Sequence, residues 1–166
     1  MYLSKVVRFF DRILGFTAFL SGVLLMAITV FISWAVGMRY LNFNPPVWVI
    51  QYTEYALLWI TFLGAAWLLR EKGHIRIDTL ISRIPPRIAR WLALFNDIVG
   101  MAVAIVIFWF GSTNTLDLYS RAIMDVKAVT LPMYALFAII PFGGFLLLLQ
   151  YLRDFFDHLV GKNTDA

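Results

Sequence analysis

The chain has 166 residues, 61% of them apolar and 14% charged, with a formal net charge of +4 and a mean hydropathy of +0.80. That composition excludes an ordinary soluble domain. The absence of cysteine excludes disulfides, iron–sulfur clusters and thiolate zinc sites within the chain.

Four apolar runs follow in order: Ile13–Val36, Val47–Leu69, Trp91–Gly111 and Val129–Leu152. Each reaches the roughly 20 residues that a helix needs to cross about 30 Å of hydrocarbon. Backbone groups in lipid must be satisfied within their own segment, and the alternation of a membrane β-barrel is missing. The runs therefore predict an all-α membrane protein, a single domain over residues 1–166 with four transmembrane helices. The first run follows Lys5, Arg8 and Arg12 and ends on Ala35-Val36-Gly37, a small-x-small pattern. It is longer than the roughly 7–15 apolar residues of a signal peptide, so it reads as a retained anchor.

The connection Arg39–Pro46 is short, which makes helices 1 and 2 an antiparallel hairpin, and Pro45-Pro46 starts helix 2. Tyr40, Trp48 and Tyr52 mark one membrane boundary and Trp91 the other. After Gly73, the apolar residues Ile77, Leu80, Ile81 and Ile84 recur at i, i+3, i+4 and i+7, with Arg76 and Arg83 off the stripe. This pattern predicts an interfacial amphipathic helix between helices 2 and 3, closed by Pro85-Pro86. Residues 112–128 read as the largest exposed loop on the opposite side. Helix 4 begins near Pro132 and is expected to kink at Pro141.

Of the 14 Lys and Arg residues, only Arg39, Arg121 and Lys127 fall on the side of the first and third loops. The positive-inside rule then places both termini in the cytoplasm. The basic residues cluster at membrane boundaries, which fits anionic lipid contact and argues against nucleic acid.

Glu54 lies about two turns inside helix 2, where a charged group is costly and needs a partner. Arg39, across the tight hairpin, is the expected structural partner; a proton-carrying role for Glu54 is the alternative. Asp97 in helix 3 is expected to pair with Arg70 or Lys72, with an ion site as the alternative. Gly15, Ala18 and Gly22 on helix 1, with Thr61, Gly64 and Ala65 on helix 2, are candidate helix-contact positions. Arg70, His74 and Asp78 are expected to fix the interfacial helix. Asp117 and Asp125 read as solvated loop carboxylates. There is no Ser/His/Asp set, HExxH, phosphate loop or cluster of metal ligands, so no enzymatic activity, cofactor or metal is expected. His74 and His158 lie outside the spans, which argues against a membrane haem.

The order Arg39, Pro46-Val47-Trp48, Glu54, FLGAAWLLR (Phe62–Arg70), GHIRID (Gly73–Asp78), Pro85-Pro86 and LPMYALFAIIPFG (Leu131–Gly143) resembles the small, Q-type (DctQ-like) membrane subunit of tripartite ATP-independent periplasmic (TRAP) transporters. The resemblance covers nearly the whole chain. It implies a bacterial inner-membrane importer of an organic acid anion, coupled to sodium, with three parts. A periplasmic substrate-binding protein captures the anion, a large membrane subunit carries the substrate and sodium sites, and the small subunit is a scaffold. On this reading Arg39, Glu54, Thr61, Gly64, Ala65, Arg70, His74, Asp78 and Asp97 make structural or subunit contacts. Asp117, Arg121, Asp125 and Lys127 are candidates for docking the binding protein. Two other readings are open: a self-sufficient homodimeric transporter with Glu54 as its proton site, and an assembly subunit of a respiratory complex.

Overall fold

The computed structural model describes residues 2–71 and 86–160. Three long helices come first in the chain: α1 (Tyr2–Tyr40), α2 (Trp48–Arg70) and α3 (Pro86–Ser120). A small hairpin of β1 (Met124–Val126) and β2 (Thr130–Pro132) follows, then the short helix α4 (Met133–Phe137) and α5 (Ile139–Val160). Among the described residues, four helical stretches, Val7–Tyr40, Trp48–Arg70, Arg90–Ser120 and Met133–Leu159, are long and apolar enough to cross a membrane. The interfacial helix expected near residues 77–84 lies outside the described residues.

The helices run well past the apolar runs. At 1.5 Å per residue, the 39 residues of α1 extend about 58 Å and the 35 of α3 about 52 Å. Residues 112–120, expected as loop, continue α3 as helix. Their polar side chains do not end it: the hydroxyls of Thr113 and Thr115 bond back to carbonyls of the preceding turn, which tolerates helix. Likewise α5 continues beyond Leu152 through Arg153, Asp154 and His158.

Both α1 and α3 stop in the same way. Phe43 N–H donates to Met38 C=O and Asn42 N–H to Arg39 C=O, with Asn42 left-handed at φ 59°. Ile123 N–H donates to Leu118 C=O and Ala122 N–H to Tyr119 C=O, with Ala122 at φ 48°. These are Schellman caps, which use up the last carbonyls of the helix. Asn tolerates this backbone; for Ala it is strained. The expected Pro141 kink takes the form of a break at Ala138 between α4 and α5. Proline has no N–H for the Phe137 carbonyl, and its ring crowds that group.

The packing order is α1 on α2, α2 on α5, and α5 on α3. α5 is therefore an inner helix, and its two adjacent glycines let neighbours approach from both sides. A Cβ on Gly143 would lie 2.7 Å from Phe62 Cβ of α2; one on Gly144 would lie 3.1 Å from the Phe108 backbone nitrogen of α3. Gly111 fits against Ile140 and Pro141, and Gly100 against the Tyr151 ring. Such small residues allow close helix contact where lipid removes the hydrophobic drive between helices. Of the helix-contact positions expected from sequence, Gly64 meets Ser21, whereas Gly15 and Gly22 face open space. The buried apolar centre is Leu14, Ala66 and Leu146, flanked by Phe10, Ile13, Trp67 and Leu147. The apolar faces of α1 and α3 stay exposed, including Phe16, Phe19, Met26, Trp91, Phe95, Trp109 and Phe110.

Candidate functional site

Polar groups collect at the two ends of the bundle. One end carries the α1–α2 turn and the β-hairpin and is called the hairpin end below. The other carries the first turns of α1 and the last turns of α5.

At the hairpin end, the turn between the strands is sewn to the start of α2. Gln51 is buried, and its side-chain amide makes two bonds to Val129: Nε2 donates to Val129 C=O, and Val129 N–H donates to Oε1, both at 2.8 Å. Gln51 Nε2 also donates to the Tyr55 hydroxyl at 2.8 Å, and that hydroxyl donates to Asp125 Oδ2. Lys127 Nζ lies 3.0 Å from Glu54 Oε2, 3.7 Å from Asp125 Oδ2 and 5.7 Å from the centre of the Tyr55 ring. Residues 51, 54 and 55 share one helical face. The antiparallel register Met124↔Pro132, Asp125↔Leu131 and Val126↔Thr130 holds the connecting residues 127–129 over that face.

This geometry corrects two expectations. Glu54 pairs with Lys127, not Arg39. The hairpin places an ammonium over its face of α2, whereas Arg39 lines a separate recess with residues of the α1–α2 turn. Asp125 is not a solvated loop carboxylate: its side chain is 12% exposed and accepts from Tyr55. The Glu54 carboxylate itself stays 55% exposed, so this is a surface pair. The hydrogen bond to Glu54 is the main reason that the Lys127 ammonium titrates above the ordinary lysine value; desolvation opposes it, and the nearby Asp125, Glu54 and Tyr55 add to it. Asp117 and Arg121 form an exposed i,i+4 pair at 2.8 Å on the last turns of α3, apart from this cluster.

At the opposite end, three helices meet on Asp11. Arg153 Nη1 of α5 donates to Asp11 Oδ1 at 2.6 Å, and Arg70 Nη1 of α2 donates to Asp11 C=O at 3.1 Å. Arg70 also holds Glu71 at 2.6 Å. A second cluster joins α3 to α5: Asp97 Oδ2 lies 2.6 Å from His158 Nδ1, both side chains buried, and Arg90 donates to the carbonyls of His158 and Leu159. Gln150 Nε2 donates to Asp154 at 3.0 Å. The expected Asp97–Arg70 pair is therefore not formed. α5 extends two turns further than its apolar run, which brings His158 to Asp97, while Arg70 is held by Asp11 and Glu71. His74 and Asp78 lie outside the described residues, as does Lys72.

Thr61, Gly64 and Ala65 do share a surface. With Gly15, Ala18, Phe19, Ser21, Ile60, Trp67 and Leu68 they line an open, mostly apolar groove of about 710 Å³ between α1 and α2. Its hydroxyls are satisfied locally: Ser21 donates to Ile60 C=O at 3.2 Å and Thr61 to Leu57 C=O at 2.8 Å. Sequence reasoning missed Gln51, Tyr55, Asp11 and Arg153 as anchors. A signal for the first two was present: a glutamine on an apolar helix, four residues before a tyrosine. Among the described residues, no group of three or more acidic, His or Cys side chains could hold a metal ion.

A helical chain with four membrane-length apolar helices, polar clamps at both ends and an apolar middle defines a multi-pass membrane protein. A family model described as "Tripartite ATP-independent periplasmic transporters, DctQ component" matches residues 28–161. The chain belongs to that family, the small permease subunits of TRAP transporters. It is 31% identical over 114 residues to the C4-dicarboxylate TRAP transporter small permease protein DctQ of Vibrio cholerae, covering 68% of this chain and 47% of that relative. The protein of the same description from Rhodobacter capsulatus is 27% identical over 107 residues, covering 64% of this chain and 47% of the relative. An isethionate TRAP transporter permease protein, DctMQ, of Oleidesulfovibrio alaskensis is 22% identical over 111 residues, covering 65% of this chain and 17% of that protein. These matches thus span less than half the length of each relative.

Proposed function

We propose that this chain is a non-catalytic scaffold beside a large membrane subunit in a sodium-coupled, binding-protein-dependent importer of an organic acid anion. The observation that carries the reading is the state of Glu54. The carboxylate weighed as a proton carrier sits half-exposed at the hairpin end, engaged by Lys127. It is a fastening point for the hairpin, not a buried group in a solute path. The membrane-embedded hydroxyls of Thr17, Ser21, Thr29 and Thr61 each bond a helix carbonyl, so these four groups are not free to line a solute path.

The names of the relatives support the substrate class: C4-dicarboxylates in two of them and isethionate, a sulfonate, in the third. In the DctMQ relative the matched stretch is a small fraction of a much longer polypeptide, which supports a larger permease part as the partner of this chain. The excess of Lys and Arg at the other boundary supports a hairpin end on the periplasmic face of the inner membrane with both termini inside. The hairpin, with Asp125, Lys127 and the adjoining Asp117–Arg121 pair, is then the surface offered to a binding protein. The groove lined by Thr61, Gly64 and Ala65 is a face for the large subunit.

Glu54→Gln in the assembled transporter tests the reading. A scaffold keeps most of its uptake rate, since an exposed ion pair contributes about 0–1 kcal/mol. Loss of uptake with normal assembly and abundance would restore Glu54 as the coupling group of a small proton-driven transporter.

A further inference from the structure

The α1–α2 turn encloses a recess of about 560 Å³ lined by Ala35, Arg39, Asn42, Asn44, Val49 and Ile50, among others. Among the described residues, none of Arg39, Asn42 and Asn44 has a side-chain hydrogen-bond or ion-pair partner. The ordinary explanation for an arginine in the last turn of a helix is that it caps free carbonyls. Here that need is largely met by the backbone: the carbonyls of Gly37, Met38 and Arg39 accept from Leu41, Phe43 and Asn42. The left-handed backbone of Asn42 accounts for an asparagine there but leaves its amide unused. The recess is also polarised. Arg39 and the two asparagines lie toward the turn, while Ala35 is one helical turn deeper along α1 and faces Val49 and Ile50 on α2. On the same α1–α2 hairpin, Phe31, Trp34 and Tyr52 cluster around Trp48, a grouping typical of a membrane–water boundary.

From these observations we propose that this recess binds the phosphodiester headgroup of a phospholipid from the leaflet at the hairpin end, with Arg39 as the phosphate ligand and Asn42 and Asn44 as supporting donors. A guanidinium presents a planar fork of donors that matches phosphate oxygens, and amide N–H groups add further donors. The apolar inner wall of Ala35, Val49 and Ile50 takes the start of the acyl chains, which a free anion does not need. A phosphodiester at the boundary needs no transport to reach the site. This inference depends on the membrane setting, not on the scaffold reading.

Native mass spectrometry of the full chain in detergent, with added dioleoylphosphatidylglycerol, tests it. The wild type is expected to retain one lipid that Arg39→Gln loses by about tenfold or more. Arg39→Lys should retain part of the binding, since it keeps the charge but not the fork. Arg12→Gln, an exposed arginine at the opposite end, should retain all of it. Asn44→Ala leaves the helix cap and the guanidinium in place and should weaken retention by a smaller factor, which keeps the test open if Arg39→Gln folds poorly. Equal lipid retention by wild type, Arg39→Gln and Asn44→Ala would overturn the assignment. So would displacement of the lipid by millimolar inorganic phosphate, which would make the recess a free-anion site. A third contrary result is Arg39→Gln keeping its lipid while losing co-purification of a large permease subunit, which would make Arg39 a protein contact.

Discussion

The side-chain amide of Gln51 replaces a missing strand for Val129: it takes both backbone groups of that residue at 2.8 Å, across 78 residues of sequence. A hairpin of two three-residue strands is marginal by itself. Its placement therefore depends on what it touches, and Gln51 is the contact that no water replaces easily, being 3% exposed. Replacing Gln51 with Leu leaves the N–H and C=O of Val129 facing an apolar group, at a cost of about 1–3 kcal/mol per unsatisfied group. A spin label at Ala128 should then become mobile while the helical content of the protein stays unchanged.

Lys127 contributes a weaker and pH-dependent part of the same strap. Its ammonium titrates above the ordinary lysine value because of Glu54 first of all. A raised value in the folded protein means that the stabilisation is fully present below the ordinary lysine range and is lost as pH rises through the folded value. The same spin label at Ala128 should show no change across neutral pH and loosen only on the alkaline side. In Lys127→Gln that alkaline transition should shrink, leaving only the part carried by the Tyr55–Asp125 hydrogen bond.

The glycines of α5 and those of α1 should respond oppositely to the same substitution. Gly143→Ala places a methyl 2.7 Å from Phe62 Cβ and 2.9 Å from its carbonyl oxygen, so α2 and α5 must move apart. Overpacking of this kind costs about 1–3 kcal/mol. Gly15→Ala and Gly22→Ala meet nothing within 4 Å and should leave the thermal stability of the isolated chain unchanged or slightly higher. A thermal-shift series on the three variants in one detergent checks the contrast.

Among the described residues, Ala122 is the one alanine at positive φ, 48°, at the C-terminal cap of α3. Ala122→Gly keeps the Schellman bonds and removes the Cβ clash of a left-handed alanine. It should stabilise the end of α3 and the hairpin by up to about 1 kcal/mol, read as slower hydrogen exchange at Ile123 and Met133.

The four long helices were legible in the sequence because a membrane-spanning helix must satisfy its own backbone, so length and apolarity alone define it. The start of α2 after Pro45-Pro46 and the interruption ahead of Pro141 were legible for a similar local reason. The lengths of α3 and α5 were not. Polar residues such as those at 112–120 and 153–158 end an apolar run without ending a helix, and hydropathy reads only the first. The partners of Glu54 and Arg70 were misplaced because pairing was inferred from closeness in sequence and depth, while the Asp97–Lys72 alternative lies outside the described residues. Glu54 found Lys127, 73 residues away, through the hairpin docked on α2, and Asp97 found His158, 61 residues away, through the packing of α5 against α3. Gly143 and Gly144 carry close contacts to two neighbouring helices, yet in sequence they look no different from Gly15 and Gly22. What separates them is which face of the helix has a neighbour.

The central claim is that this chain supports transport without carrying it out. Its most direct test is uptake of a radiolabelled C4-dicarboxylate or sulfonate into proteoliposomes under an inward sodium gradient, with purified binding protein outside. The chain alone should give no uptake above empty liposomes, and co-reconstitution with a large TRAP permease subunit should give sodium-dependent uptake that is lost when this chain is left out. Uptake by the chain alone would contradict the scaffold account.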